Sequence, residues 1–351
     1  MGLKRGMETL LETVRQQGEL TREQCSEAVG WLAEESAPAP PKEAFLEALR
    51  SRSETAGEIA GFALALLARA RDPQVAVENL PGPALDVCGT GGDRLELFNI
   101  STTAMFVLAA GGAVVVKHGN RAITSQCGGA DVLEELGVRL ECDAARLAES
   151  LKKAGAGFLF APAYHPAFKA IAPVRKTLAA KGIPTIFNLL GPLLNPARPP
   201  FQLVGVYSAD LLPKYAEALR LLGRARAWAV HGAGADELTC SGPSTVFRVE
   251  GDHVSQTRIA PEHLGLQPAP IAALRGGAKA ENARILVEIL SGLDAGPRTD
   301  AVLLNAAAGF VVAGIDRELG PALERARKAI RDGEALRRLR ALVNITRAGR
   351  D

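Results

Sequence analysis

The chain has 351 residues, and 41 lysines and arginines against 39 acidic residues give a formal net charge of +2. This balance excludes a broad positive field for nucleic acid or an anionic membrane surface, and a composition of 47% hydrophobic and 23% charged residues excludes a disordered chain. A single hydrophobic core stops growing at roughly 250 to 300 residues, so we expect two domains. No apolar run reaches the roughly 20 residues of a transmembrane helix, so we expect a cytoplasmic protein.

The first 80 residues predict a small all-helical domain. Thr21 followed by Gln24 fits a capping box, and the proline-rich stretch 37–41 predicts a break before the third helix. Apolar residues recur at spacings of three and four in four segments, namely 7–16, 22–34, 42–50 and 56–71.

After residue 80 the pattern changes to short β-rich runs that alternate with helical segments, which predicts an α/β domain with a mostly parallel central sheet flanked by helices. The predicted strands are 84–88, 113–116, 157–160, 203–207 and 227–231. The predicted helices between them are 102–110, 130–136, 144–154, 166–180 and 211–222. Residues 246–249 and 253–257 predict a hairpin, and residues 280–343 predict mostly helix.

The cysteines and histidines show no pattern of disulfides or metal ligands. The five cysteines are widely spaced without a C-x-x-C pair, and the five histidines include no H-E-x-x-H. We therefore expect reduced thiols and no structural transition metal.

A strand that runs directly into three glycines predicts a phosphate site. Residues 86–93 read Asp-Val-Cys-Gly-Thr-Gly-Gly-Asp, and residues 99–102, Asn-Ile-Ser-Thr, then open an apolar helix. Glycines let backbone N–H groups approach an oxyanion, and the hydroxyls of Ser101 and Thr102 lie beside the positive end of a helix dipole. A tight turn with an N-cap serine is the alternative, and a glycine-rich turn alone favours it.

The second motif, Lys-His-Gly-Asn-Arg at 117–121, follows the predicted strand 113–116, where ligands of open α/β sheets bind. Two cations, an amide and a glycine suit a phosphate and a ribose. Residues 124–129 add the hydroxyls of Thr124 and Ser125 and another flexible turn. A solvated basic loop is an equally good interpretation of this segment alone.

Asp236 and Glu237 are candidate magnesium ligands. Adjacent carboxylates serve one site only where the backbone is irregular, and Gly232 and Gly234 permit such a backbone. Magnesium is usually held by one or two carboxylates together with substrate phosphates. Taken alone, the pair is more typical of an exposed acidic turn.

A segment rich in aromatic residues precedes a candidate carboxylate clamp. Residues 158–166 read Phe-Leu-Phe-Ala-Pro-Ala-Tyr-His-Pro, and Arg175 lies ten residues after His165 in a predicted helix. Arg175 suits bidentate binding of a carboxylate, whereas a solvated arginine, with Tyr164 and His165 as packing residues, is the alternative. The run 187–196 is dense in Gly, Pro and Asn and predicts a shaped loop rather than a helix or strand.

In this order, the motifs GTGGD, NIST, KHGNR, FAPxYHPA, NxLGPLxNP and the Asp-Glu pair resemble those of the anthranilate phosphoribosyltransferases over nearly the whole chain. The resemblance implies a helical domain, residues 1–80 with a returning segment near 166–184, that forms a homodimer interface. It implies an α/β domain over residues 81–351, with the active site between the two. The implied reaction transfers phosphoribose from phosphoribosyl pyrophosphate (PRPP) to the amine of anthranilate, a step of tryptophan biosynthesis.

The same resemblance implies a role for individual residues. PRPP would be held by Gly89, Gly91, Gly92, Asp93, Asn99, Ser101, Thr102, Lys117, Asn120 and Cys127. The path of anthranilate would be lined by Gly89, His118, Asn120, Pro162, Tyr164, His165, Arg175 and Gly191, with Arg175 receiving the carboxylate. Mg2+ would be bound by Ser101, Asp236 and Glu237. No covalent nucleophile is implied, and His118 and His165 are the candidate proton acceptors.

The sequence departs from this family at two places. Residues 94–98, Arg-Leu-Glu-Leu-Phe, stand where many members have a glycine and small polar residues, and Cys127 stands where serine is frequent. Both departures concern the contacts to phosphate rather than the reaction. A pyrimidine nucleoside phosphorylase shares the architecture, but its lysine-rich and serine-rich phosphate motifs are not seen here. A non-catalytic relative that binds nucleic acid is the third alternative, against which the near-neutral charge argues.

Overall fold

The computed structural model describes residues 2–122 and 126–348. The predicted hydroxyls of Thr124 and Ser125 therefore lie outside the described residues. Among the helices that are described, none is long and apolar enough to cross a membrane. All five cysteines fall within the described ranges, and each is a free thiol.

The predicted N-terminal helices are confirmed as α1 (Gly2–Arg15), α2 (Arg22–Leu32), α3 (Ala39–Arg52) and α4 (Ala56–Leu67). Thr21 forms the expected capping box with Gln24 at the start of α2, and Thr55 forms another with Glu58 at the start of α4. The predicted break before α3 is too long, because Pro40 and Pro41 lie within its first turn, where a missing N–H costs no hydrogen bond.

The central sheet has the strand order β3-β2-β1-β4-β5-β6-β7 in the part of the chain that the structure describes. Its strands are β1 (Ala84–Gly89), β2 (Val114–Gly119), β3 (Ala156–Phe160), β4 (Phe201–Gly205), β5 (Arg226–Gly232), β6 (Ser244–Glu250) and β7 (His253–Ile259). The first five strands pair in parallel, and the predicted hairpin β6–β7 joins the sheet antiparallel to β5. The chain order reverses at β1, between β2 and β4, which is where open α/β sheets bind ligands.

Two predicted boundaries are wrong near this reversal. Strand β2 continues through Lys117 and His118, which the sequence placed in a loop after the strand. The segment 187–196, predicted as a loop, begins with a short helix over Phe187–Leu190 and a 3-10 turn over Gly191–Leu193. Both segments are largely buried, so most polar and turn-forming residues there have protein partners rather than solvent.

The remaining helices follow β1 along the chain. They are α5 (Ile100–Ala110), α6 (Gly129–Glu135), α7 (Ala144–Lys153), α8 (Ala161–Tyr164), α9 (Phe168–Ala180), α10 (Phe187–Leu190), α11 (Leu212–Leu221), α12 (Lys279–Leu290), α13 (Pro297–Val312), α14 (Leu319–Arg331) and α15 (Glu334–Arg347). Among them, α5, α7, α8, α11, α13 and α15 pack on strands of the sheet. Alternation along β1 separates two cores: Leu85 and Val87 pack with α5 and α13, whereas Cys88 packs with the N-terminal helices and α11.

The N-terminal helices share one continuous core with α9, α10 and α11. Helix α9 packs on α3, and just after α9 the Lys181 ammonium lies 3.1 Å from the Glu43 carboxylate. The returning segment near 166–184 thus contacts the helical part as expected, while the domain boundary at residue 80 stays a prediction.

Candidate active site

The acidic segment that follows β5 reaches across β4 to the carboxyl end of β1 at Gly89. A Cβ atom at Gly89 would lie 2.1 Å from Oδ2 of Asp236, so the acidic segment after β5 can approach β1 only because residue 89 is glycine. Gly91 and Gly92 follow with φ angles of 67° and 88°, in the left-handed region that favours glycine. In this loop the Gly91 N–H faces the acidic segment, whereas the Thr90 N–H donates to the Gly205 carbonyl at 2.9 Å.

The acidic pair occupies the N–H groups that were predicted to bind phosphate. The Gly91 amide donates to Asp236 Oδ2 at 2.6 Å, and the Ser101 amide donates to Glu237 Oε1 at 3.2 Å. Ala233 and Gly234 have φ angles of 53° and 86°, which supplies the irregular backbone that lets both acids serve one site. The alternative of an exposed acidic turn is wrong, because the Asp236 carboxylate contacts the glycine loop and the Glu237 carboxylate contacts the start of α5.

Burial is the main reason that both acids are hard to ionise in this state. It raises the pKa of Glu237 to about 8, with the charge of Asp236 as the next cause. Burial also raises the pKa of Asp236, and the neighbouring Asp93 carboxylate raises it further. A bound cation would offset the cost of ionising these two buried carboxylates.

Lys117 lies on the same side of the sheet as the glycine loop and the two carboxylates. It is 4% exposed, and its ammonium donates to the Val87 carbonyl and, at 3.1 Å, to the Ser101 hydroxyl. The alternative of a solvated basic loop is therefore wrong for Lys117 and for His118, which is 6% exposed. It holds for Arg121, whose exposed guanidinium pairs with Glu134 at 2.7 Å.

His118 belongs to a second cluster, because consecutive side chains of a strand point to opposite faces. Its ring centroid lies 5.1 Å from that of His165, edge to face, and His165 Nε2 lies 2.8 Å from the Leu194 carbonyl. Burial lowers the pKa of His118 to about 3, so the ring is neutral at physiological pH. Its Nε2 is buried and has no hydrogen-bond partner among the described residues.

Arg175, from α9, completes this second cluster. Its guanidinium lies 5.9 Å from the centre of the Phe168 ring and 5.6 Å from that of Phe187. Burial lowers the pKa of Arg175, and no acidic side chain of the described residues offsets that effect. The alternative of a solvated arginine is wrong, since a half-buried guanidinium with aromatic neighbours and no carboxylate is poised to receive one.

Other predicted site residues are placed less directly. Asn120, Pro162 and Gly191 are exposed, whereas Thr102 is 1% exposed and Tyr164 packs in a small apolar cluster with Leu147. The Cys127 thiol is 5% exposed and belongs to the core, and its carbonyl accepts a hydrogen bond from the Asn99 amide at 3.1 Å. Their roles toward ligands stay predictions.

Several buried polar residues that the sequence did not single out hold the two clusters in place. The Asp86 carboxylate accepts hydrogen bonds from the Asn195 amide at 3.0 Å and from the His118 backbone N–H at 3.4 Å. The Asn282 amide donates to the Asn99 side-chain oxygen at 3.0 Å. Asp86 is the first residue of the glycine motif, although no role was predicted for it. Asn282 is 183 residues from Asn99, so no local sequence pattern reveals their contact.

The acidic cluster fits a hard cation only in part. Asp236, Glu237 and the Ser101 hydroxyl offer oxygen ligands of the kind that Mg2+ prefers. Within residues 2–122 and 126–348 no group of three or more His, Cys, Asp or Glu side chains is arranged to hold a metal alone. This donor set suits an ion that takes its remaining ligands from water and from a phosphate.

Comparison with known proteins assigns the chain to a family. Residues 8–70 match the helical bundle domain of a glycosyl transferase family, and residues 81–336 match its a/b domain. The anthranilate phosphoribosyltransferase of Chloroflexus aggregans is 49% identical over 306 residues, which cover 87% of this chain and 88% of the relative. That of Roseiflexus sp. (strain RS-1) is 46% identical over 333 residues, which cover 94% and 95%.

This chain belongs to the anthranilate phosphoribosyltransferase family.

Solved structures of family members show the same fold. The crystal structure of the enzyme from Thermus thermophilus has a TM-score of 0.89 at 41% identity, and the alignment covers 97% of this chain and 99% of the Thermus chain. The Saccharomyces cerevisiae enzyme in complex with PRPP and Mg has a TM-score of 0.83 at 28% identity, with 98% of each chain covered. The predicted helical domain, the α/β class and the family are thus confirmed.

The bulky loop that departs from the family pattern is tied to the C-terminal part of the chain. Phe98 N–H donates to the Leu274 carbonyl at 3.0 Å, and Gly276 N–H donates to the Glu96 carbonyl at 2.9 Å. Arg94 and Glu96 have φ angles of 60° and 54°, a conformation that costs a non-glycine residue about 1–2 kcal/mol. These backbone bonds hold the strained loop of this family member.

Proposed function

We propose that this protein transfers the phosphoribosyl group of PRPP to the amine of anthranilate and releases pyrophosphate, a step of tryptophan biosynthesis. Family membership supports the reaction. One observation carries it: two anion-binding clusters of different kinds lie on opposite sides of β2. One combines Lys117 with the Gly91 and Ser101 amides, and the other holds Arg175 without a carboxylate partner among the described residues.

The first cluster suits the diphosphate of PRPP. Breaking the bond between C1 of the ribose and the diphosphate places negative charge on the leaving group and positive charge on the sugar. Once the two carboxylates have turned to the cation, the backbone N–H groups of Gly91 and Ser101 and the Lys117 ammonium are donors that stabilise the departing anion. Loss of one such donor typically costs about 3–4 kcal/mol of the barrier.

Asp236, Glu237 and Ser101 would hold Mg2+, the metal present with PRPP in the yeast relative. When bound, the ion neutralises charge on the diphosphate. Both carboxylates accept hydrogen bonds from the Gly91 and Ser101 amides here, so they occupy the positions of the phosphate oxygens that these amides would bind.

The second cluster suits anthranilate. Arg175 would bind the carboxylate, which leaves the aromatic amine free to face C1 of the ribose. His165 Nε2 lies against the Leu194 carbonyl, and a carbonyl only accepts, so this nitrogen carries the proton. The unpartnered and neutral His118 Nε2 is therefore the better candidate to accept the proton that the amine loses.

A fluorescence assay tests the reaction. Purified protein mixed with PRPP, Mg2+ and anthranilate is expected to consume anthranilate fluorescence, and omission of PRPP or Mg2+ is expected to leave it unchanged. Persistent fluorescence with folded protein would overturn the proposal. Phosphate-dependent release of a free base from thymidine or uridine would instead favour the phosphorylase, for which the named relatives give no support.

We also propose that the protein is cytoplasmic and forms a homodimer through the helical domain. The returning segment contacts the helical part through three ion pairs: Lys181 with Glu43 and Lys169 with Glu35, each at 3.1 Å, and Lys181 with Glu47 at 3.6 Å. Light scattering is expected to give twice the monomer mass of 36.9 kDa, and a monomer mass would contradict the dimer.

A further inference from the structure

Two buried asparagines of matched chemistry lie behind the two clusters. Asn195, after the turn Gly191–Leu193, is 0% exposed, and Asn305, in α13, is 2% exposed. Each uses its whole side-chain amide, binding at least one group of a distant segment and one of its own segment. Their difference is the part of the site to which each one is attached.

Asn195 ties the acceptor side to the sheet. Its Nδ2 donates to Asp86 Oδ2 at 3.0 Å and to the Val116 carbonyl at 2.7 Å, and its Oδ1 accepts from the Ala197 N–H at 3.1 Å. The preceding residue, Leu194, supplies the carbonyl that holds His165. The position of the His165 ring, and of His118 in contact with it, thus depends on where Asn195 fixes the chain.

Asn305 ties the acidic side to α13. Its Nδ2 donates to the Leu238 carbonyl at 2.8 Å and to the Ala301 carbonyl at 2.9 Å, and its Oδ1 accepts from the Leu238 N–H at 3.2 Å. Leu238 directly follows Glu237, and the backbone before this pair is irregular at Ala233 and Gly234. Asn305, Glu237 and Ser101 line one small cavity.

We infer that Asn195 and Asn305 are positioning residues with separate duties: Asn195 sets the acceptor pocket, and Asn305 sets the cation-binding carboxylates. The inference rests on the proposed function. The hydrogen bonds of the two amides share no partner, so each substitution is expected to disturb one cluster and leave the other intact. A purely structural role would instead weaken both clusters together.

Asn195→Ala and Asn305→Ala form a matched pair, because both replace a buried, fully bonded amide by the same side chain. Anthranilate binding is followed by its fluorescence. Cation binding is followed as the Mg2+ concentration that gives half of the thermal stabilisation seen with pyrophosphate. N195A is expected to weaken anthranilate binding about tenfold or more and to leave the Mg2+ midpoint within about twofold of wild type. N305A is expected to raise the Mg2+ midpoint about tenfold or more and to leave anthranilate binding within about twofold, as for other residues that orient ligand-binding groups.

The inference is overturned if both variants shift both quantities by similar factors, or if either variant shifts only the quantity assigned to the other. It is equally overturned if neither quantity moves in the two folded variants. If the alanine variants fail to fold, N195S and N305S are measured in their place and judged by the same criteria. If wild-type protein fails to bind anthranilate, the proposed function is wrong. The Mg2+ and pyrophosphate measurements on N305A then still test whether Asn305 positions the cation-binding carboxylates.

Discussion

Arg175 is expected to supply most of the affinity for the anthranilate carboxylate. Its guanidinium is half-buried beside two phenylalanine rings and has no acidic partner among the described residues. A hydrogen bond to a charged group contributes about 1.5–3 kcal/mol, and about 1.4 kcal/mol corresponds to a tenfold change. Arg175→Ala is therefore expected to raise the KM for anthranilate about 10- to 100-fold and to leave the KM for PRPP within about twofold.

Stability separates this effect from a general loss of structure. Since Arg175 forms no ion pair with the described residues, its removal leaves no buried carboxylate unpaired, and only contacts with Phe168 and Phe187 are lost. We expect the free energy of unfolding to fall by no more than about 2 kcal/mol, about 0.5–1 kcal/mol for each of the two contacts.

Steady-state kinetics with anthranilate and with aniline, which lacks the carboxylate, provide the assay. The exposed neighbour Lys176→Ala is the matched control and is expected to behave as wild type. With aniline, wild type and Arg175→Ala are expected to converge. Equal increases in the KM values for PRPP and anthranilate, or an aniline reaction that still depends on Arg175, would refute the clamp.

Three further outcomes concern the donor side. Lys117→Met removes the ammonium that donates to Ser101, and kcat is expected to fall about 100-fold or more; a change confined to the KM for anthranilate would exclude this role. Gly89→Ala places a Cβ 2.1 Å from Asp236 Oδ2, so the Mg2+ concentration that gives half-maximal activity is expected to rise about tenfold or more. An unchanged value would contradict the close approach of Asp236 to residue 89. Burial raises the pKa of Glu237 to about 8, so the protonated form stabilises the fold fully below the ordinary pKa of 4.5, and this stabilisation is lost as pH rises through about 8. Mg2+ is therefore expected to raise the melting temperature more at pH 8.5 than at pH 6 in wild type. The difference is expected to be smaller in Glu237→Gln, where Asp236 alone still ionises in this range, and an equal rise at both pH values in wild type would count against the carboxylate site.

Periodicity predicted the helices and strands because those segments bury one face or both. It ended β2 too early, since Lys117 and His118 are polar, yet both are buried in surroundings that only the fold provides. The same limit explains the segment after Ile186. Its Gly, Pro and Asn residues are typical of loops, but Asn195 is used inside the protein to bind Asp86.

Site residues were predictable where they share a motif and hidden where they act across the chain. The glycine loop and the acidic pair each gave a local signal, but their contact through Gly91 and Asp236 spans 145 residues. Asn305 lies 67 residues from Leu238 in a helix that otherwise reads as plain apolar core. Pairings of this kind arise from the strand order, which composition and spacing do not encode.

A crystal structure with PRPP and Mg2+ bound measures the position of the diphosphate directly. We predict its oxygens within hydrogen-bond distance of the Gly91 and Ser101 amides and of the Lys117 ammonium, with the Asp236 and Glu237 carboxylates turned to the cation. A diphosphate bound elsewhere, with Asp236 still accepting from Gly91 N–H, would contradict the account.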